Sequence, residues 1–304
     1  MTKTPLHILV TGANGQLGHS LQTLAASQAS HITYAFTDRE HLDITDDAAV
    51  ARWLDQHPAD CLINAAAYTA VDRAATEPDA AMAINAHAPA LLARHCAARR
   101  MHLLHVSTDY VFDGTLDRPY RVDDTPAPLN TYGRSKLLGE QAILQHAPDA
   151  LILRTSWVFS AWGGNFVRTM LRLGAQRDHL QVIDDQVGGP TWAGHLAQAL
   201  HQLALRLHTP GLDTPGGLYH CSGAPDVSWH GFAQEIFQQA LKRDMLKKVP
   251  TLEAIQATAW PSPEPRPANS RLDCSRLDTL LGPIARDWRI GLGQVLDTWR
   301  NEAT

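Results

Sequence analysis

Little in this sequence offers a structural metal, a membrane or a nucleic acid anything to hold. Its 304 residues include only four cysteines, Cys61, Cys96, Cys221 and Cys274, far apart and forming no CxxC. That excludes a cysteine zinc site or redox pair, so buried reduced thiols are expected, in keeping with a cytoplasmic protein. Histidine is plentiful at sixteen, but no HExxH or paired Cys/His spacing organises it. No run of about 18 apolar residues occurs, so no membrane span is expected. The opening "MTKTPLHILVTG" passes from a short tail into a strand-like run, without the apolar core and cleavage site of a signal peptide. With 26 basic against 31 acidic residues the net charge is −5, which gives nucleic acid no basic footprint.

What is present is an ordinary globular composition, 44% apolar and 19% charged, enough for one large or two small domains. The first half alternates short apolar runs with helical patterns, the signature of a parallel sheet wrapped by helices. Strands are expected at 6–11, 31–36, 60–65, 102–108 and 150–156, with helices near 16–27, 46–57, 77–100 and 131–146. Thr45, Asp46 and Asp47 offer side chains to cap the second helix. The stretch 195–208 places Leu196, Ala199, Leu200, Leu203, Ala204 and Leu207 on one helical face. "TPGLDTPGG" (209–217) reads as a boundary loop, and "WPSPEPRPANS" (260–270) is too rich in proline for a helix or central strand. The expected fold is α/β: a doubly wound, Rossmann-like parallel sheet with a smaller mixed α/β C-terminal lobe. Residues 1–156 form the dinucleotide-binding domain, completed by a segment near 190–215, and 157–189 with 216–304 form mainly the substrate lobe.

"VTGANGQLG" puts Gly12, Gly15 and Gly18 directly after the first strand and at the opening of a helix. Glycine permits the tight turn and close approach of backbone N–H groups to a pyrophosphate, and the helix N-terminus favours its charge. Asp38 follows the second strand about 20 residues after the last glycine, where a ribose-binding acid belongs. Asp38 suits the 2′-hydroxyl of NAD, whereas Arg39 suits a 2′-phosphate, so NADH and NADPH both stay open. Asp43 and Ile44 in "LDIT" can wall an adenine, and Ala65, Ala66 and Ala67 in "NAAAYT" let a cofactor lie against the backbone.

"STDYVFDG" (107–114) ends an apolar run in hydroxyls and an acid, and "YGRSK" follows at 132–136. Tyr132 and Lys136 are four apart and share a helix face. A phenol with an ordinary pKa of about 10 can donate a proton, and a nearby ammonium eases that exchange. Thr108 can hydrogen-bond a carbonyl oxygen, Tyr132 can protonate it, and Lys136 can support both the tyrosine and cofactor ribose hydroxyls. Together they make a hydride-transfer site.

The glycine pattern, "NAAAYT", "STDYVFDG", "PLNTYGRSK", "LRTSWVF", "DDQVGGPT" and "RPANSRL" together resemble the extended short-chain dehydrogenase/reductases over residues 6–299. The last motifs point to the subgroup that acts on nucleotide sugars. The resemblance implies reduction of the C4 ketone of dTDP-4-dehydro-L-rhamnose by NADH or NADPH. It makes Tyr132 the proton donor, Lys136 its partner and Thr108 the group polarising the keto oxygen. It places Gly15, Gln16, Leu17, Asp38, Asp43, Ile44, Ala65, Ala66, Ala67 and Val106 on the cofactor, and Thr108, Asp109 and Trp157 on the sugar. Gln186, in the turn "DDQVGGPT", is a further substrate candidate, and Arg266 and Arg271 are candidates for the diphosphate, since guanidinium matches phosphate oxygens. The acidic stretch 113–124 reads as a flexible rim. Some members of this family dimerise through a magnesium site built on glutamates. Ser20 stands at one such place here and "RDWRIGLGQVLDTW" has none, so no metal is expected and the chain is a monomer or weak homodimer. Two other readings share the fold: an epimerase or dehydratase of the same superfamily, and a non-catalytic regulatory subunit like that of methionine adenosyltransferase.

Overall fold

Five apolar runs close enough to read as buried strands become the body of one parallel sheet. In the computed structural model, which describes residues 5–28, 31–260, 262–282 and 284–302, these are β1 (Leu6–Thr11), β2 (Ile32–Thr37), β3 (Cys61–Asn64), β4 (His102–Thr108) and β5 (Leu151–Thr155). Residues 1–4 of the N-terminal tail and Pro261 of the proline-rich stretch lie outside the described residues. β3 and β5 are buried along their whole length, as strands covered on both faces must be, whereas the edge strand β2 is only half-buried. A sixth strand, Gly217–His220, pairs with β5, giving the order 217–220, β5, β4, β3, β1, β2. The sequence reading ended its loop at 217 and missed this strand, because four residues after a Pro/Gly cluster carry no periodicity.

Successive strand residues point to opposite faces, and each face has its own core. Leu6, Ile8, Val10, Ile63, Leu104 and Leu153 meet the helices Gln16–Ala25 and Ala193–His208. Leu9, Leu62, Leu103 and Ile152 meet the helices Asp47–Gln56, Ala88–Arg99 and Thr131–His146. Each fully buried leucine contributes about 1.5–3 kcal/mol. The second helix is capped by Asp46, which accepts from the Ala49 N–H at 3.0 Å. The single helix expected over 77–100 is instead interrupted: a π-helical turn, Ala83–His87, separates Pro78–Met82 from Ala88–Arg99.

A third core belongs to the smaller lobe, where Phe159, Val167, Phe232, Phe237, Trp288 and Leu292 pack together. Its helices are Phe166–Gln176, Trp229–Leu241 and Trp288–Glu302, beside a parallel pair of strands, His179–Ile183 and Thr251–Ile255. All four cysteines are buried and free. No helix among the described residues is long and apolar enough to cross a membrane.

Candidate active site

Open parallel sheets bind ligands where the connections of neighbouring strands diverge, at their carboxyl ends. Here that point lies between β1 and β3, and it holds a cavity of about 1010 Å³. The cavity is lined by Gly12, Gly15, Asp38, Arg39, Asp43, Ile44, Ala65, Ala66 and Ala67, nine of the expected cofactor residues. Gly12 has φ +74°, and a Cβ there would lie 2.6 Å from the Ala66 nitrogen, so only glycine lets the two turns meet. Gly15 starts the helix without a side-chain cap, which leaves the first N–H groups to an anion. A bare backbone cradle, a free helix N-terminus and an acid just after the next strand fit a dinucleotide.

The Asp38 carboxylate accepts from Asn14 at 2.9 Å and from the His41 ring at 2.6 Å. The His41 bond holds Asp38 below the usual carboxylate range, and Asp38 in turn raises His41. No motif flagged His41; its only signal was a histidine three residues after the acid. Asp43 turns its carboxylate to Thr45, accepting from its hydroxyl at 2.7 Å. Five expected contacts sit apart from the cavity wall: Val106 on β4, Tyr132 and Lys136 on the helix Thr131–His146, and the neighbours Gln16 and Leu17. Leu17 is buried in the core, and Gln16 reaches the smaller lobe, its Oε1 accepting from Ser160 at 3.1 Å and Asn165 at 3.0 Å.

β4 delivers the chemical groups. Its last residue, Thr108, accepts from the Tyr110 N–H at 3.2 Å, starting a tight turn, and donates to Asp109 at 3.0 Å. The helix carrying Tyr132 is capped by Asn130, which accepts from the Gly133 N–H at 2.8 Å and donates to the Pro265 carbonyl at 2.9 Å. Gly133 has no Cβ because one would strike the Tyr110 carbonyl oxygen. That contact seats Tyr132 beside Thr108, with its ring edge-on to Tyr110 at 5.5 Å between centroids. Lys136, one turn on, donates to the Val106 carbonyl at 2.7 Å and lies 3.3 Å from Nε2 of His105.

Burial governs the protonation of these groups. It pushes the Tyr132 phenol up to about 12, against the opposing pull of the Thr108 hydroxyl. It brings Lys136 down to about 8, with Glu140 opposing. It raises Asp109 to about 6, against hydrogen bonds from Ser270 and Thr108. Behind the site Glu140 is held by Arg154, Nε to Oε1 at 2.9 Å and Nη2 to Oε2 at 2.6 Å, with both side chains almost fully buried. A buried polar chain also runs beneath the cavity: Thr11 donates to Asn64 at 2.7 Å, and Asn64 bonds His105 at 3.0 Å. Sequence reasoning passed over Glu140, Arg154, Asn64 and His105. The available signal was polar residues inside otherwise apolar runs, "DCLINA", "HLLHVST" and "ALILRTS".

The substrate candidates divide. Gln186 is buried just before Val187–Gly188, which pairs with Asn269–Ser270, so "DDQVGGPT" and "RPANSRL" become neighbours. A Cβ on Gly188 would lie 2.9 Å from the Trp157 indole and 3.0 Å from Ser270. Trp157 itself has φ +48°, a strained backbone for a bulky residue, and stacks on Trp229 at 3.5 Å. Asp109, Ser270, Gly188 and Trp157 thus form one wall. Arg266 is instead paired with Asp72 at 3.0 Å, and Arg271 donates to Asn269 at 2.8 Å and to the Asp117 carbonyl. Arg266 forms a partly exposed ion pair, of the kind worth little energy. The stretch 113–124, expected as a flexible rim, is laced down. Arg118 grips Asp124 through two 2.7 Å bonds, Tyr120 donates to Asp113 at 2.6 Å, and Asn269 donates to the Leu116 and Arg118 carbonyls. Among the described residues no three His, Cys, Asp or Glu side chains cluster as a metal site.

Residues 6–301 match the family model of the RmlD substrate binding domain. A dTDP-4-dehydrorhamnose reductase of Aggregatibacter actinomycetemcomitans is 41% identical over 288 residues, 95% of this chain and 97% of that protein. A Streptomyces antibioticus protein described as a probable dTDP-4,6-dihydroxy-2-methyloxan-3-one 4-ketoreductase is 42% identical over 93% of this chain and 92% of its own. Among solved structures, a Bacillus anthracis dTDP-4-dehydrorhamnose reductase in complex with NADP superposes with a TM-score of 0.87. It shares 32% identity over 97% of this chain and all of that one.

Proposed function

The chain belongs to the RmlD substrate binding domain family, and we propose that it reduces the C4 ketone of dTDP-4-dehydro-L-rhamnose to give dTDP-L-rhamnose. The observation that carries this reading is the hydrogen bond between Thr108 and Tyr132 at the carboxyl end of β4, with Lys136 one turn on and bonded to the Val106 carbonyl of the same strand. The helix that carries Tyr132 and Lys136 packs on the turn Ala83–His87, whose Ala83 and Ile84 line the cavity walled by glycines and alanines. NADPH or NADH, when bound, supplies the hydride. The backbone at Gly12 and Gly15 would take the pyrophosphate, Asp38 and Arg39 would hold the adenosine ribose, and Asp43 and Ile44 would wall the base. Ala65, Ala66, Ala67 and Val106 would leave room along the chain of the cofactor, and Lys136 would hold its nicotinamide ribose.

The Thr108 hydroxyl polarises the keto oxygen and Tyr132 delivers the proton to it. A phenol pushed up to about 12 keeps its proton at neutral pH, which suits a donor rather than a base. Asp109, Trp157 and Gln186 bound the hexose, and Arg266 and Arg271 serve the diphosphate. In this reading residues 1–156 and the segment near 190–215 bind the dinucleotide. Residues 157–189 and 216–304 mainly bind the sugar nucleotide, apart from the strand Gly217–His220, which lies in the large sheet. The protein works without a metal, as a monomer or weak homodimer.

The test is NADPH and NADH oxidation against a panel of 4-keto nucleotide sugars, with dTDP-4-dehydro-L-rhamnose expected to be reduced fastest. Net consumption of one cofactor per sugar is expected. Interconversion of sugars without net consumption would instead mark an epimerase or dehydratase. The panel includes a second dTDP-4-keto-hexose, since the Streptomyces relative is described as acting on the same six-membered ring with one hydroxyl fewer. Asp38→Ala is expected to weaken NADH binding about tenfold, the worth of one charge-assisted hydrogen bond, and to spare or improve NADPH binding. Fluorescence titration with both cofactors checks this; equal loss for both would take Asp38 off the 2′ position.

A further inference from the structure

We propose that His105 is a positioning residue which, held in one tautomer by Asn64, favours the neutral amine of Lys136. The inference rests on the reading of Lys136 as part of the reductase site and adds what sets its charge. It starts from an N–H whose role is not open to choice. The Ala66 backbone can only donate, and it bonds Oδ1 of Asn64 at 3.2 Å, as the Thr11 hydroxyl does at 2.7 Å. That fixes the amide orientation, otherwise ambiguous for asparagine, so Nδ2 must face Nδ1 of His105 at 3.0 Å. Nδ2 donates; Nδ1 therefore accepts and carries no hydrogen.

His105 is fully buried on β4, and burial with the neighbouring Lys136 holds it well below its ordinary pKa, so it has one ring proton. That proton sits on Nε2 and points at Nζ of Lys136, 3.3 Å away. An ammonium has three N–H groups and no lone pair, so the two would oppose each other donor to donor. A neutral amine has a lone pair to accept the ring proton and still donates to the Val106 carbonyl at 2.7 Å. Rotating the ring would place carbon where both nitrogens now bond. Thr11, Asn64 and His105 are cross-strand neighbours on β1, β3 and β4, so the chain of bonds is set by sheet register.

Other charges facing Lys136 do not reverse this. Glu140 faces it from one turn along the same helix, but Arg154 on β5 holds both its carboxylate oxygens. Asp109 and Tyr110 bear on Tyr132, the other titratable group of that helix face. On the packed helices, Arg94, His95 and Arg99 engage Asp47 and Asp55, and Arg73 engages Glu77. Asp72 engages Arg266, and the π-helical turn presents the uncharged Asn85, bonded to Ser135. Burial by itself brings Lys136 down to about 8, and the opposing ring N–H acts in the same direction in addition.

The test is a pH titration of the unliganded full-length protein labelled with 13C at lysine Cε. The chain has only five lysines, of which Lys242, Lys247 and Lys248 are exposed. One signal, lost in Lys136→Met, is expected to titrate at about 8. In His105→Leu it is expected to rise by about one unit, because the opposing donor is gone while burial remains. A merely structural histidine would leave that midpoint in place, which would overturn the proposal. As a check needing no variant, 15N spectra of the wild-type ring should place the proton on Nε2; a proton on Nδ1, or on both, would also overturn it. Neither readout uses catalysis. Shifts as expected in a protein that reduces no keto sugar would refute the proposed reaction and leave this inference standing.

Discussion

Tyr132→Phe is expected to lose about 10²–10⁴-fold in turnover, the range that a positioned proton donor contributes, while binding NADPH or NADH within about twofold of wild type. The split follows from the geometry. Phenylalanine keeps the ring that packs edge-on against Tyr110, and the helix stays pinned through Gly133 and the Asn130 cap. The cavity walls at Gly12, Asp38 and Ala65 are untouched. What disappears is one O–H whose proton burial had kept in place. Single-turnover cofactor oxidation measures the loss, and a fluorescence titration measures the binding. Turnover near the wild-type rate would remove Tyr132 from its assigned role; loss of cofactor binding would make it structural.

Arg154→Leu is expected to destabilise the fold by about 3–5 kcal/mol, because it leaves the Glu140 carboxylate buried without a partner. The pair is nearly sealed from water and its two hydrogen bonds are short, so neither group can turn to solvent when the other is removed. The Arg154 guanidinium also lies over the Phe112 ring at 4.9 Å, so packing is lost with the charge. Replacing both residues, Arg154→Leu with Glu140→Leu, is expected to recover most of the stability, since apolar groups of similar size have no desolvation to offset. Urea denaturation of the two variants decides it. A single variant within about 1 kcal/mol of wild type would mean that water reaches Glu140.

Much of this was legible along the chain because the relevant patterns are local. A strand covered on both faces must be apolar throughout, so β1, β3, β4 and β5 announced themselves as runs. The glycines after β1 and the Tyr132–Lys136 spacing are each set by one turn or one helix. Other features depend on what pairing brings alongside, and no window of sequence holds that. His105 reads as one more residue of a core strand until β3 lays Asn64 beside it. Glu140 looks like a solvated helix residue until β5 sets Arg154 against it. The π-helical turn at Ala83–His87 hides in an alanine-rich stretch whose periodicity runs on unbroken. Arg266 and Arg271 were singled out by chemistry alone, and the fold gives each of them a protein partner first.

The strand Gly217–His220 carries a consequence for how the chain comes into being. The sheet to which it belongs is otherwise complete at residue 155, yet its place beside β5 waits for more than sixty further residues, including the smaller lobe's helix Phe166–Gln176 and one strand of its parallel pair, His179–Ile183. On the ribosome, β5 therefore emerges with one edge unpaired and one apolar face without the helix Ala193–His208. An open edge beside bare apolar surface is a template for another nascent chain. Premature termination anywhere between 156 and 216 should thus yield insoluble fragments rather than a smaller working unit, and chaperone demand should peak while that interval is being translated.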